Sequence, residues 1–343
     1  MKPIAIKATG MITGVGLNAP ASCAAIRCAI DCFAETRFMV QGEWLIGSEV
    51  PLTPPSRGRE KILRMALSAI SECLAPVQDV QLQRIPLLLC VAEPNRPGRF
   101  ADLDQSLLSD IEKLLGGHFH RDSAVIANGR VGGAEAVARA ATMIQPPTVP
   151  YCIVAGVDTF LVAATLAACE EKQRLLTSLN SNGFIPGEAA GAVLLGRAQD
   201  GLDPEFRCLG VAFAVEKATI ESEEPLKADG LATAFRAALA DARCDFEDID
   251  YRITDANGEQ YVFKEAALGL ARTLRILKPE FDIWHAADCI GEVGAATVPC
   301  AVSVAEAAAR KEYAPGPGVL AHFGNDDGQR AAMILGQYTS EAA

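Results

Sequence analysis

The chain has 343 residues, 50% of them apolar and 22% charged, a composition that supports one or two sizeable cores and excludes a disordered protein. Its formal charge is −12 and its Lys and Arg are scattered, so no basic stripe offers a footprint for nucleic acid or anionic lipid. No apolar run reaches the roughly 18 residues of a membrane span, because 159–169 is too short and 286–309 is broken by Asp288, Glu292 and Pro299.

In chain order, the opening MKPIAIKATGMITGVG lacks the apolar core and cleavage site of a signal peptide. It reads instead as a strand over 4–11, and a cytoplasmic protein is expected. Helices follow at 21–32 and 59–74, then a strand at 85–90, a helix at 103–115, a strand at 123–126, a helix at 133–145 and a strand at 151–156. Short β-branched runs alternating with amphipathic stretches predict βαβ units around a buried, largely parallel sheet. The run GFIPGEAAGAVLLG at 183–196 closes this half with a turn and an apolar strand.

After Asp200 the segment AQDGLDPEF has the Asp, Gly and Pro content of a connection, and the pattern starts again. Strands are predicted at 208–215, 251–254, 282–285, 318–322 and 330–337, with helices at 230–243, 263–276 and 294–310. RAAMILGQ near the end echoes AAGAVLLG at 189–196, and two Ala-rich helices each follow a pair of glycines. A duplicated α/β unit is therefore expected, with halves 1–200 and 201–343.

Eleven cysteines lie along the chain with no CxxC pair. They read as small buried hydrophobes of a reducing compartment, Cys28 and Cys32 sharing one helix face. His118 and His120 have the spacing of a strand metal pair but no third ligand close by, so neither metal nor cofactor is expected. In GFIPGEAAG, Gly183, Gly187 and Gly191 are assigned to a tight turn needing positive φ, and Glu188 to accepting backbone N–H groups there.

Four segments together resemble one family. GFIPGEAAG is similar to a GF-V-x-GEGAG turn, and ATGMITGVGLNAP to a first strand and loop. FRAALADARCDFEDIDYRITDANG at 235–258 is similar to a stretch leading to a His-Gly-Thr motif, and VLAHFGNDDGQRAAMIL at 319–335 to a closing Asn-Ser-Phe-Gly-Phe-Gly-Gly segment. These are features of β-ketoacyl synthases, and the resemblance spans nearly the whole of a chain somewhat short for that family. It implies a thiolase-like fold: two duplicated βαβαβαββ halves in a five-layer α-β-α-β-α arrangement, usually dimerised through an edge strand.

Such enzymes condense acyl thioesters. A thiolate at a helix N-terminus accepts the acyl chain, and two histidines with backbone amides stabilise the enolate. Carried over residue by residue, the resemblance implies that this chemistry is gone. Arg130 in NGRVGG stands at the cysteine, Asn257 at the first histidine, Asp288 at the second and Ile283 at the lysine, while the gating Phe falls near Asn325 and Asp326. A guanidinium stays protonated and cannot attack a thioester. The nearest substitute pair is Cys289 with His285.

Two fates of Arg130 follow from burial. It forms an ion pair with Asp288 that fills the old site, or it reaches solvent through a widened mouth. The resemblance then implies a non-catalytic pseudo-enzyme, a homodimer or heterodimer whose partner is a protein. The favoured role is an adaptor or chaperone like the short, degenerate thiolase-like proteins encoded beside type VI secretion spikes and secreted effectors. The alternatives are a chain-length-factor-like partner of an active synthase, or an acyl-thioester binder or acyltransferase with relocated chemistry.

Overall fold

The computed structural model describes residues 1–77, 79–199 and 204–338. The elements in order are β1 (Ile4–Thr13), α1 (Ala19–Arg27), β2 (Ala34–Val40), β3 (Glu43–Gly47), α2 (Gly58–Leu74), β4 (Leu87–Cys90), α3 (Leu103–Leu115), β5 (Ala124–Ile126), α4 (Gly132–Met143), β6 (Tyr151–Thr159), α5 (Ala163–Glu171) and β7 (Glu188–Arg197). They continue with β8 (Glu205–Val215), α6 (Asp229–Ala242), β9 (Tyr251–Thr254), α7 (Gln260–Thr273), β10 (Ile283–His285), the short α8 (Ala287–Ile290), α9 (Thr297–Arg310), β11 (Gly318–Gly324) and β12 (Gln329–Tyr338). The expected connection around Asp200 falls at 200–203, outside the described residues.

The strands run β10-β9-β11-β12-β8-β1-β7-β6-β4-β5. Numbering each half's five strands from one, both read 3-2-4-5-1 outward-in, and they meet at β1 and β8 through Ile4↔Cys208 and Ala5↔Arg207. The pairs β4–β5, β4–β6, β9–β10 and β9–β11 are parallel, and those of β7 and β12 with their neighbours are antiparallel. The second half is βαβαβαββ with only the turn of α8 added, whereas the first carries α1, the β2–β3 hairpin and α5 as insertions.

Packing makes five layers. Helix α2 repeats Ile62, Met65, Ala66, Ala69, Ile70 and Cys73 at helical spacing, and this stripe covers one face of the first sheet together with Leu107 and Ile111 of α3. On the far side, Leu231 and Phe235 of α6, with Leu268 of α7, cover the second sheet. Helices α4 and α9 lie between the sheets in one continuous core. Strand β7 is buried on both faces, which is why it reads as an unbroken apolar run. Each fully buried Val or Leu in these layers contributes about 1.5–3 kcal/mol. No helix among the described residues is long and apolar enough to cross a membrane.

Some expectations shift. Helix α1 starts at Asn18, whose side chain accepts the Ala21 N–H, and ends early because Ala29 turns to a φ of +51°. Cys28 and Cys32 are thus exposed and lie beyond the helix, while seven other cysteines are buried as expected. The β2–β3 hairpin was not anticipated, although Gln41-Gly42, both at positive φ, is the two-residue turn that joins twisted strands. Helix α5 was missed because LVAATLAACEE has no one-sided apolar stripe.

Candidate functional site

The site lies where α4 begins. A single 3-10 turn, Gly129–Val131, joins strand β5 to that helix, with Gly129 at a φ of +51°. The Val131 N–H donates to Asn325 Oδ1 at 3.1 Å, and Asn325 Nδ2 donates to the Asn128 carbonyl at 3.0 Å. Asn325, from the β11–β12 turn, thereby holds the turn that presents Arg130.

Arg130 is 12% exposed, at the positive end of a helix, where a cation is disfavoured. Carboxylates compensate. Its Nη1 donates to Glu292 Oε2 at 3.0 Å, its Nη2 to Asp326, and Asp255 Oδ2 lies 3.8 Å from Nε. Glu292 Oε2 also accepts from Asn257 Nδ2 at 2.7 Å, and the same amide reaches Glu259 Oε2 at 3.2 Å. Arg174 grips Glu259 with two bonds of 2.7 Å and returns to Asp326. Arg130, Glu292, Asn257, Glu259, Arg174 and Asp326 form a closed ring of charge-assisted contacts.

Burial works against the charge on Arg130, but the Glu292, Asp326 and Asp255 carboxylates outweigh it and hold the guanidinium well above its ordinary pKa. Asp326 is held well below the usual carboxylate range: burial opposes this, and Arg130 and Arg174 prevail. Asp255 goes the other way, raised by burial more than Arg130 lowers it.

The expected Arg130–Asp288 pair is not formed. Asp288 sits on α8 with its side chain 67% exposed, its Oδ1 3.1 Å from His285 Nδ1. The chain turns at Gly291, at a φ of +72°, so Glu292 faces the site instead. Arg130 does not snorkel to solvent either. Cys289 is buried, its thiol pushed up to about 11 by burial and by Asp288, the opposite of what a nucleophile needs. Ile283 lies on the edge strand β10. His118 and His120 separate, contacting Glu112 and Asp122 respectively.

The GFIPGEAAG segment braces this arrangement. Gly187 N–H donates to the Glu292 carbonyl at 3.0 Å, and Glu292 N–H to the Ile185 carbonyl at 2.8 Å. None of Gly183, Gly187 and Gly191 has positive φ. Close approach is their reason: a Cβ would lie 2.4 Å from the Leu175 backbone carbon, 2.1 Å from the Ile290 carbonyl oxygen and 2.9 Å from the Cys300 nitrogen, respectively. Glu188 accepts the Val50 N–H at 2.8 Å and the Thr159 hydroxyl at 2.9 Å, and it pairs with buried Lys61.

Of the residues singled out from sequence, Arg130, Asn257, Asn325 and Asp326 converge and Asp288 does not. Arg174, Asp255, Glu259 and Glu292 were missed. Glu259 is two residues from Asn257 and Glu292 sits between two glycines, so both carried a local signal; Arg174 lies in a loop with none. Beside the ring a cavity of about 440 Å³ opens, walled by Phe160, Phe184, Ala168, Arg96 and Lys172.

No protein-family model matches the sequence, and no curated protein resembles it closely enough to count. Solved structures do resemble it. A chain of the apo AntDE:AntF complex, a type II PKS acyl-carrier protein with its ketosynthase bound to the hexaketide, matches with a TM-score of 0.80 at 13% identity, over 98% of this chain and 99% of that one. The ishigamide ketosynthase/chain length factor matches at 0.74 and 15%, with coverages of 98% and 99%. The Xenorhabdus doucetiae ketosynthase ApeO in complex with its chain length factor ApeC matches at 0.72 and 14%, over 98% of each chain. The fold is therefore the thiolase-like fold of ketosynthases and chain length factors. At these identities the likeness defines the fold alone.

Proposed function

We propose that this chain is a non-catalytic subunit that partners an active ketosynthase, as a chain length factor does. The observation that carries the reading is the Arg130 ring: where the family resemblance calls for an acyl-accepting thiol stands a guanidinium tied to Glu292 and Asp326. Neither Arg130 nor the carboxylates around it can form a thioester. A surface that recognises a second protein keeps such a fold useful without its chemistry.

The adaptor role at a type VI secretion spike drew its support from a gate segment turned polar, GNDDGQ, and from a chain short for its family. The match over 98–99% of chains from ketosynthase complexes weakens the argument from length and favours the partner subunit. Purification of the tagged full chain from its native host distinguishes the two. A stoichiometric protein carrying an intact Cys-His-His set supports the partner role, and a spike or toxin component supports the adaptor. Incubation with hexanoyl-CoA followed by intact-mass measurement should leave the chain unmodified. A covalent acyl adduct would overturn the non-catalytic reading.

A further inference from the structure

We propose that the two-arginine clamp now held by Asp326 is a binding site for a small monocarboxylate, and that Asp326 is its built-in stand-in. Asp326 stands at the tip of the β11–β12 turn, closed by the Gly328 N–H on the Asn325 carbonyl at 3.2 Å. Its side chain is 45% exposed, whereas the Arg130 and Arg174 side chains it bridges are 12% and 11% exposed. Its Oδ1 meets Arg130 and, at 3.4 Å, Arg174 Nη2, while its Oδ2 meets Arg174 Nη1. That is the geometry a free carboxylate adopts between two guanidinium forks.

Each arginine also keeps an inner partner that does not depend on the turn. Glu292 stays on Arg130 and Glu259 on Arg174. Withdrawal of Asp326 therefore leaves neither cation unpaired, the condition that makes exchange of a buried partner tolerable. The clamp opens into the 440 Å³ cavity, a volume within the range that takes small molecules, whose Phe160, Phe184 and Ala168 can cover a short alkyl body.

Charge selects the ligand class. At the clamp four carboxylates (Asp255, Glu259, Glu292, Asp326) face two guanidiniums, an excess of two negative charges, and the cations farther along the cavity wall are already paired, Arg96 with Glu93 and Asp158 and Lys172 with Glu221. Exchange of Asp326 for a monocarboxylate keeps that balance. A phosphate dianion would add one more negative charge to a buried site and is disfavoured. This inference needs no partner protein and is independent of the partner-subunit reading.

Calorimetric titration of the full chain with sodium hexanoate at constant ionic strength tests it, with acetate and inorganic phosphate as the other arms. Hexanoate should bind wild type weakly and D326N about tenfold more tightly, the scale of one charge-assisted contact no longer in competition. Acetate should bind less well than hexanoate, and phosphate least. D327N removes a charge from the same turn and the same cavity wall, but Asp327 contacts Gln329 and no arginine, so it should tighten hexanoate binding far less than D326N. R174K keeps the charge without the fork and should lose most hexanoate binding, with thermal unfolding reporting the fold of each variant. No hexanoate binding by D326N, equal tightening by D327N, full binding by R174K, or phosphate binding above hexanoate would each overturn the proposal.

Discussion

The two helices of the central layer begin alike and are used differently. Each follows a one-turn 3-10 segment whose glycine has a φ of +51°, Gly129 before α4 and Gly294 before α9. Before α9 the turn is Gly294-Ala295-Ala296, fully buried, with its first two N–H groups donated to Glu292 and Asp158 at 2.9 Å. Nothing larger than a methyl projects from it. Before α4 the Val131 N–H is equally satisfied, by Asn325, yet between Gly129 and Val131 stands a guanidinium. The fold requires a satisfied, closely packed turn in both halves. What projects from the middle of one is a separate choice, and here it is a charge that the rest of the site has been built to hold.

Replacing Arg130 attacks the side that carries the charge. R130A leaves Glu292 and Asp255 buried without their cation, and a loss of about 3–5 kcal/mol is expected in urea unfolding. A loss as small as that of a surface substitution would mean the ring contributes nothing to the fold.

The glycines test the shared geometry. At both positions an alanine strains a positive φ, costing about 1–2 kcal/mol. At Gly294 its Cβ would also lie 2.1 Å from Asp158 Oδ2, which Arg96 and the Thr159 and Ala295 amides pin in place. At Gly129 it would meet Glu93 Oε2 at 2.9 Å, the end of a half-exposed side chain held by Arg96 but by no other residue's backbone amide. G294A should therefore cost about 2–4 kcal/mol and G129A about half as much. Equal losses would show that strain alone matters.

Acid titration sharpens the contrast between Asp326 and Asp255. The Asp326 carboxyl is depressed, so its stabilisation is full above the unfolded carboxylate value of about 3.9 and is lost as pH falls toward its folded value. Asp255 is raised by burial; its protonation relieves a cost and gives no acid loss. The stability difference between wild type and D326N should be constant near neutrality, under about 1 kcal/mol because Asp326 is partly exposed, and should shrink below about pH 4. Least affected should be D288N, within about 0.5 kcal/mol, since that carboxylate lies outside the ring.

The sequence-legible part of this molecule was whatever repeats at short range. Apolar periodicity marked α2, α4 and α9, and the two echoing halves appear as the matching 3-2-4-5-1 strand orders. Arg130 could be placed because the glycines around it fix a turn before a helix. Its partner could not, because Asp288 and Glu292 are four residues apart and the reversal at Gly291 decides which one faces inward. Arg174 and Glu259 come from distant loops and meet by folding alone, 85 residues apart in sequence. Local pattern fixes where a side chain starts, and long-range packing fixes whom it meets.

The closed ring of six side chains has a topological consequence. Arg130 and Arg174 come from the first half and the other four members from the second, so the seam between halves is crossed by four contacts: Arg130 to Glu292 and Asp326, and Arg174 to Glu259 and Asp326. A ring cut once is still a connected path. With Asp326 withdrawn, Arg130, Glu292, Asn257, Glu259 and Arg174 remain linked end to end across the seam. Were the Asp326 side-chain contacts broken, the two halves would stay stitched by this path and by Asn325, which bonds to Val131 and Asn128 from the same turn: a joint that opens on one side without coming apart.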